Sequence, residues 1–322
     1  MITYKSLFQQ IIKYFAQLKT VSIGFQSNTI GSDDQRIIAI GNYAGYQATG
    51  NHQVAIGEFS LLKSTGWCNV ALGKYAGAYN TIGKQNTYLG VKAGMSGNYA
   101  RNNVAIGFES LRYNVMGDSN VAIGMLALHK NINAFNNVAI GTNAFGYAQY
   151  GSYNVGIGKG AGSWKTSGNF NTLLGAWAQT STQSANYEIV LGNYNSNVLR
   201  CAVTSLTSLS DIRDKTEIKD LEYGLDFIES LKPKQFTWNQ RDVFEISEVD
   251  GQPTDKLIEN SNKGKKDIGF IAQEVQELDD NILNLVYDEN PDKLELSMGK
   301  ILPILVQAIK ELSEKVKVLE NN

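Results

Sequence analysis

A serine and a lysine five residues apart, Ser210 and Lys215 in the string Ser210-Asp211-Ile212-Arg213-Asp214-Lys215, are the residues of this 322-residue chain whose types and spacing best suit covalent chemistry. A serine hydroxyl attacks a carbonyl carbon only once a base has taken its proton. A lysine can be that base where burial or neighbouring cations disfavour its ammonium form. Ser–Lys pairs replace the Ser–His–Asp arrangement in some hydrolases, and both histidines of this chain, His52 and His129, lie far upstream. A turn over five residues suffices to fold Lys215 back onto Ser210. The same string also reads as a helix start, with Ser-Asp capping the first turn and the charges solvated.

Other candidates for chemistry are weaker. His52 and His129 stand singly, with no second ligand at metal spacing, and read as surface or loop histidines. Glu58, Glu109 and Asp118 show no pairing of the kind that glycoside hydrolysis needs. Cys68 and Cys201 read as two unpaired small apolar residues. No metal and no cofactor are expected.

The Ser–Lys string stands where the composition changes. Residues 20–209 hold 17 charged side chains, 11 basic and 6 acidic, whereas residues 210–322 hold 40, of which 15 are basic and 25 acidic. Glycine divides at the same place, with 26 residues before Ser210 and 5 after it. The first part is therefore Gly/Asn-rich and nearly uncharged, and the second is an acidic α+β segment of net charge −10. A whole-chain charge of −2 with two cysteines excludes a strongly basic nucleic-acid binder, a disulfide-stapled miniprotein and a Cys/His metal domain. No apolar run reaches the ~18–20 residues of a membrane helix, and the first residues lack a signal peptide's apolar core. Folding in a cytoplasm, without membrane insertion, is the expectation.

Upstream, a glycine recurs at 24, 41, 57, 73, 90, 107, 124, 141, 158, 175 and 192, with spacings of 17, 16, 16 and then 17 throughout. Ile or Leu precedes each one, and a β-branched residue stands three places before it. Asn recurs four places before it at 69, 86, 103, 120, 137, 154 and 171, and a small residue such as Ala44, Ser60 or Ala76 stands three places after. This unit, N-V-A-I-G-x-x-A, describes a short strand entering a tight turn. One coil cannot bury an apolar face, but eleven stacked coils share a continuous core. Asparagines at one phase can hydrogen-bond along the stack as a ladder. At ~4.8 Å per coil the stack reaches roughly 50 Å, a spacer or display surface. The run Gly156-Ile157-Gly158-Lys159-Gly160-Ala161 imitates a dinucleotide-binding turn, but it is in phase with the other copies and is a false positive.

The repeat resembles the head repeats of YadA-like trimeric adhesins over about residues 20–195. That resemblance implies three chains wound into parallel left-handed β-rolls about one axis. This chain departs from it in its longer coil of mostly 17 residues and in lacking export signals and a membrane anchor. Before the repeats, Tyr4, Phe8, Ile11, Phe15 and Leu18 form one helical stripe, which reads as a trimerising or docking helix or as a simple end cap.

After the repeats, residues 221–231 and 272–280 read as helices and 235–238 and 267–271 as strands. Leu302, Leu305, Ile309, Leu312, Val316 and Leu319 follow the 3, 4 spacing of a coiled-coil seam. A helix packed in the core of its own domain is the alternative. Four ordered motifs resemble the endosialidase-type intramolecular chaperone domain at the ends of phage tail spikes and fibres. They are S-D-I-R-D-K at 210–215, Leu231-Lys232-Pro233 with Phe236-Thr237-Trp238, Gly269-Phe270-Ile271-Ala272-Gln273-Glu274-Val275, and the helix 302–312. The resemblance implies a domain that trimerises the preceding fibre and then cuts itself off. Ser210 would be the nucleophile, Lys215 the general base, Leu209–Ser210 the scissile bond, and Asp211 and Arg213 would position the loop. The polar stretch from about Arg241 to Lys266 departs from the pattern as a long surface insertion.

The expected protein is mainly β. It has an N-terminal helix over 1–19, a trimeric parallel β-roll of about eleven 17-residue repeats over 20–199, a linker with the cleavage site over 200–209, and an α+β chaperone domain over 210–322 ending in a coiled-coil helix. The expected function is that of a phage tail-fibre or tail-spike-like protein, assembled in the bacterial host cytoplasm and carried on the virion. Its expected partners are two further copies, the phage baseplate or tail through the N-terminal helix, and a host-surface receptor, with a glycan among the candidates. A permanently capped trimer without proteolysis and a cell-surface adhesin are the alternatives.

Overall fold

The structure, a computed structural model, describes residues 20–28, 36–193, 195, 196, 199, 210–239, 243–249, 252–258, 263–279 and 283–321. The expected N-terminal helix over 1–19 and the linker 200–209, with Cys201 and Leu209, lie outside the described residues. The chain divides into two units, Met1–Tyr194 and Asn195–Asn322.

In the first unit each repeat contributes one strand: β1 (Val21–Ile23), β2 (Ile37–Ile40), β3 (Gln53–Ile56), β4 (Val70–Leu72), β5 (Thr87–Leu89), β6 (Val104–Ile106), β7 (Val121–Ile123), β8 (Val138–Ile140), β9 (Val155–Ile157), β10 (Thr172–Leu174) and β11 (Ile189–Leu191). They form a single parallel sheet in chain order, a β-solenoid with one strand per coil. Equivalent residues pair, as in Val104↔Val121, Ala105↔Ala122 and Ile106↔Ile123. The two 16-residue steps keep the same register, Ile38↔Val54 and Val54↔Val70, so the missing residue comes out of the loops and not the strands. A one-residue slip within a strand would turn its inward face outward.

The alternation of each strand sorts its side chains. The middle residue points into the coil, where Ala39, Ala55, Ala71, Ala105, Ala122 and Ala139 are fully buried. The flanking β-branched and Ile/Leu residues face out. The coil glycine follows with φ near +130°, and at Gly124 an added Cβ would lie 2.5 Å from the Gly141 carbonyl oxygen. Close approach of successive coils therefore demands glycine as much as the turn does.

Where the inward residue is large, glycines in neighbouring turns make the room. Tyr88 replaces the usual alanine, and Cβ atoms built on Gly77 and Gly94 would sit 2.7 and 2.0 Å from its ring. Phe145 is accommodated in the same way by Gly156 and Gly162, at 2.5 and 2.1 Å. Interior volume is thus conserved across coils and not within one.

The asparagine ladder forms as expected. The Asn103 Oδ1 accepts from both the backbone N–H and the Nδ2 of Asn120, at 2.8 and 3.2 Å, and Asn120 Nδ2 also donates to the Ala134 carbonyl at 2.7 Å. The pattern repeats along the stack from Asn69 to Asn171. Each rung satisfies main-chain groups that the turns leave without a ladder partner.

The second unit is a small α+β fold. Helix α1 (Leu225–Ser230) leads to β12 (Lys234–Thr237), which pairs antiparallel with β15 (Lys266–Gly269). Between them β13 (Val243–Val249) and β14 (Gln252–Ile258) form an antiparallel hairpin, so the expected surface insertion carries regular structure. Helix α2 (Ala272–Asp279), the short pair β16 (Val286–Tyr287) and β17 (Glu295–Leu296), and the long helix α3 (Met298–Glu320) follow. Phe227, Leu231, Val275, Leu285, Ile301 and Ile304 form its core. Helix α1 is shorter than the apolar pattern suggested, starting after Gly224, whose missing Cβ admits the Glu311 carboxylate. That carboxylate accepts the Leu225 N–H at 2.8 Å, tying α3 to the start of α1.

Candidate functional site

The site is built by a single tight turn. Asp211 adopts an extended backbone (φ −70°, ψ 136°) and its Oδ1 accepts the Arg213 N–H at 2.9 Å, capping a one-turn 3₁₀ helix, Ile212–Asp214. Asp211, and not Ser210, is therefore the capping residue. The Arg213 guanidinium closes a fork on the same carboxylate, Nε to Oδ1 at 3.0 Å and Nη2 to Oδ2 at 2.6 Å. These hydrogen bonds hold the Asp211 carboxyl below the usual carboxylate range. Lys215 then leaves the turn extended, its N–H donating to the Ile212 carbonyl at 3.2 Å.

This geometry returns the lysine side chain to the serine. Lys215 Nζ lies 2.6 Å from Ser210 Oγ and 3.4 Å from the Ser210 carbonyl oxygen. Both side chains are exposed in the single chain. An amine at that distance is placed to exchange a proton with the hydroxyl, which is what a nucleophile and its base require. Asp211 and Arg213 make no bond to either group among those observed; they hold the turn that brings the two together.

Two apolar surfaces accompany the site. On α3 the seam residues Leu302, Leu305, Ile309, Leu312, Val316 and Leu319 are exposed, Leu302 by 64%. Ile301, Ile304 and Ala308, one position round the helix, are the residues buried against the domain's own core. The heptad stripe is thus not the one that packs at home. On the β-solenoid the outward strand residues form a second stripe, including Val70, Leu72, Leu89, Ile157 and Leu174 at 38–45% exposure.

The remaining expectations sort as follows. His52 is exposed and pairs with Arg36 at 2.9 Å. His129 lies in a turn, as expected of a loop histidine, but is buried there, its Nδ1 3.1 Å from the Glu109 carbonyl oxygen and 3.8 Å from the Glu109 carboxylate. Glu109 also pairs with Lys92 and Arg112 at 2.9 and 2.7 Å, and these cations hold its carboxyl below the usual range although burial pushes it up. Sequence reasoning missed this cluster. Its signal was in the phases, since Lys92 and Glu109 occupy one position of adjacent coils and Arg112 and His129 another. Cys68 is unpaired, as expected, and exposed. The Gly156–Ala161 run is strand β9 and its turn.

Residues 210–284 match the family model for the chaperone of endosialidase, and the match begins on Ser210. It takes in the dyad string, the Leu231-Lys232-Pro233 and Phe236-Thr237-Trp238 segments and the Gly269–Val275 motif, and it ends before α3. No curated protein and no solved structure matches the chain. A parallel β-solenoid followed by an endosialidase-type chaperone segment is the build of a fibre-like protein with a C-terminal chaperone.

Proposed function

We propose that the chain is a trimeric phage fibre whose C-terminal unit aligns three copies and then cuts the Leu209–Ser210 bond. The observation that carries this reading is the 2.6 Å approach of Lys215 Nζ to Ser210 Oγ at the first residue of the chaperone match. In the step this supports, neutral Lys215 takes the Oγ proton and Oγ attacks the Leu209 carbonyl carbon. The tetrahedral carbon expels the Ser210 amine, which receives that proton, leaving residues 1–209 as an ester on Oγ. Water then hydrolyses the ester, giving a free carboxylate at Leu209 and restoring the serine hydroxyl.

A lysine acts as a base only where its ammonium is desolvated. Lys215 is exposed in the single chain, so the reading requires assembly to cover it, which would make cleavage follow trimerisation. The unpartnered α3 seam and the apolar strand stripe of the β-solenoid support three-fold assembly, since each is an apolar row repeating at the spacing of its own element. The same exposure of Lys215 favours a second reading, a permanent trimerisation cap that never cleaves.

Intact and native mass of wild type beside Ser210→Ala and Lys215→Ala separate the two. The expected outcome is a trimer of fragments 1–209 and 210–322 for wild type and full-length trimers for both variants. A full-length wild-type trimer would leave the permanent cap, and a monomer would remove the fibre reading altogether.

A further inference from the structure

Stacking in register turns each position of the coil into a column along the β-solenoid, and one run of columns has a chemistry of its own. In the nine coils from Gly41 to Gly175 the residues five to nine places after the coil glycine, from Tyr46 through Ser184, include no Asp or Glu, whereas the first coil has Asp33 there. The roll's paired carboxylates sit at other positions: Glu58 with Lys74, and Glu109 with Lys92 and Arg112. Within this acid-free strip the column six places after the glycine reads Lys, Tyr, Ser, Tyr, Lys, Tyr, Trp from Lys63 to Trp164. Main-chain bonds fix it in place, Ser96 N–H to the Arg112 carbonyl at 3.0 Å, Tyr113 to His129 at 3.2 Å and Lys130 to Gly146 at 3.1 Å.

Its aromatic rings are not spent on a core. Tyr79, Tyr99, Tyr113, Tyr150 and Trp164 are 37–51% exposed. Lys130 Nζ stands 4.6 Å from the Tyr147 ring centre and the Arg112 guanidinium 4.9 Å from that of Tyr113, so cations are seated beside the rings. Exposed rings offer faces to the C–H surfaces of sugars, and Lys130, seated on Tyr147, and the exposed Lys63 offer pairing to carboxylate, sulfate or phosphate groups, whereas Arg112 is already paired with Glu109 at 2.7 Å. The outward strand residues that the trimer reading uses lie in other columns.

Charge spacing decides between polymers. Lys63 and Lys130 stand four coils apart, about 19 Å at ~4.8 Å per coil, and Arg112 is one coil from Lys130. Duplex DNA presents a charge every ~1.7 Å. A strip this sparse in cations and this rich in rings fits a polymer of sugar rings whose acid groups are spaced more widely than duplex phosphates.

We propose that this strip binds an anionic polysaccharide, the rings stacking on sugars and Lys63 and Lys130 pairing with its acid groups. The proposal rests on reading the roll as the receptor-binding part of a fibre, and it does not depend on cleavage. The test measures binding of alginate, uncharged dextran and a 20-base-pair DNA duplex to the protein as purified wild type and as Ser210→Ala, with native mass on the same samples. Alginate should bind both proteins alike, dextran and duplex more weakly. Tyr113→Ala/Trp164→Ala, which leaves every charge in place, should weaken alginate binding by about tenfold or more. Lys63→Gln/Lys130→Gln should do the same and flatten the salt dependence. Should the aromatic variant fail to fold, the lysine variant decides. Equal binding of duplex and alginate, no preference for alginate over dextran, or affinity unchanged in the variants would each overturn the proposal. If alginate fails to bind a sample that native mass shows to be trimeric, the strip assignment fails while the fibre reading stands.

Discussion

At the scale of single residues, a lysine outside the candidate site is at odds with its surroundings. Lys165 is 1% exposed inside the β-solenoid, at a position that neighbouring coils fill with Asn114, Asn131 and Ala148, and its Nζ donates to the Ala185 carbonyl at 2.7 Å. Burial pushes its ammonium down to about 8 from 10.5, against a smaller upward pull from Glu188. The folded value lies below the unfolded one, so between these two pH values the unfolded chain binds more protons and stability rises with pH. Below about 8 the full cost of burying the charge is present. Lys165→Met keeps the stem and removes the charge, and Ala185 still accepts from Asn171 Nδ2 at 2.8 Å. The variant should therefore be more stable at neutral pH by about 1–3 kcal/mol, a gain of about 2–4 °C in Tm per kcal/mol for a unit of this size. Calorimetry at neutral and alkaline pH checks it: the wild type should gain on alkaline transfer and the variant should not. A variant that melts lower at neutral pH would show that the ammonium is accommodated without cost.

At the scale of elements, the asparagine ladder supports the turns that the strands alone cannot. Asn120 sits mid-ladder, and its Oδ1 accepts from both the backbone N–H and Nδ2 of Asn137, at 3.1 Å each. Asn120→Ala leaves that buried N–H and the Ala134 carbonyl without their partners, a cost of about 2–4 kcal/mol. Asn186→Ala, at an exposed coil position, should cost less than about 1 kcal/mol. Urea unfolding of the two variants measures the difference, and equal costs would mean that the buried rungs do not hold the coils together. What the sequence disclosed follows the same logic. Strand positions, coil glycines and ladder were legible because each coil repeats the same requirement. The accommodation of Tyr88 by Gly77 and Gly94 was not, because it spreads over adjacent coils and appears in any one of them as an unexplained glycine. The hairpin β13–β14 stayed hidden in a polar stretch whose alternation is broken by charges. The approach of Lys215 to Ser210 was allowed by their spacing but not required by it, since it depends on Asp211 and Arg213 closing the intervening turn.

At the scale of the whole molecule, the two sides of the Leu209–Ser210 bond carry opposite charge. Residues 1–209 hold 14 basic and 6 acidic side chains and residues 210–322 hold 15 and 25, giving net charges of +8 and −10. Parallel pairing between residues a full coil apart, on chains that must also find each other, is slow and leaves strand edges open meanwhile. A domain that gathers three chains raises their effective concentration throughout that interval. On the proposed reading, an assembled roll from which the domain had been cut would persist by the slowness of its unfolding and no longer by equilibrium with free chains. Two outcomes follow for cleaved wild type compared with Ser210→Ala. The wild-type fragments should part on ion exchange at neutral pH, the roll held by a cation exchanger and the chaperone unit by an anion exchanger, while the variant behaves as one weakly acidic species. After heating and cooling, the variant should regain its trimer and its β-sheet signal, whereas the isolated wild-type roll should aggregate. If the roll recovers as completely as the variant, its strand stripe and ladder are sufficient to assemble it, and the C-terminal unit serves the fibre in some way other than folding.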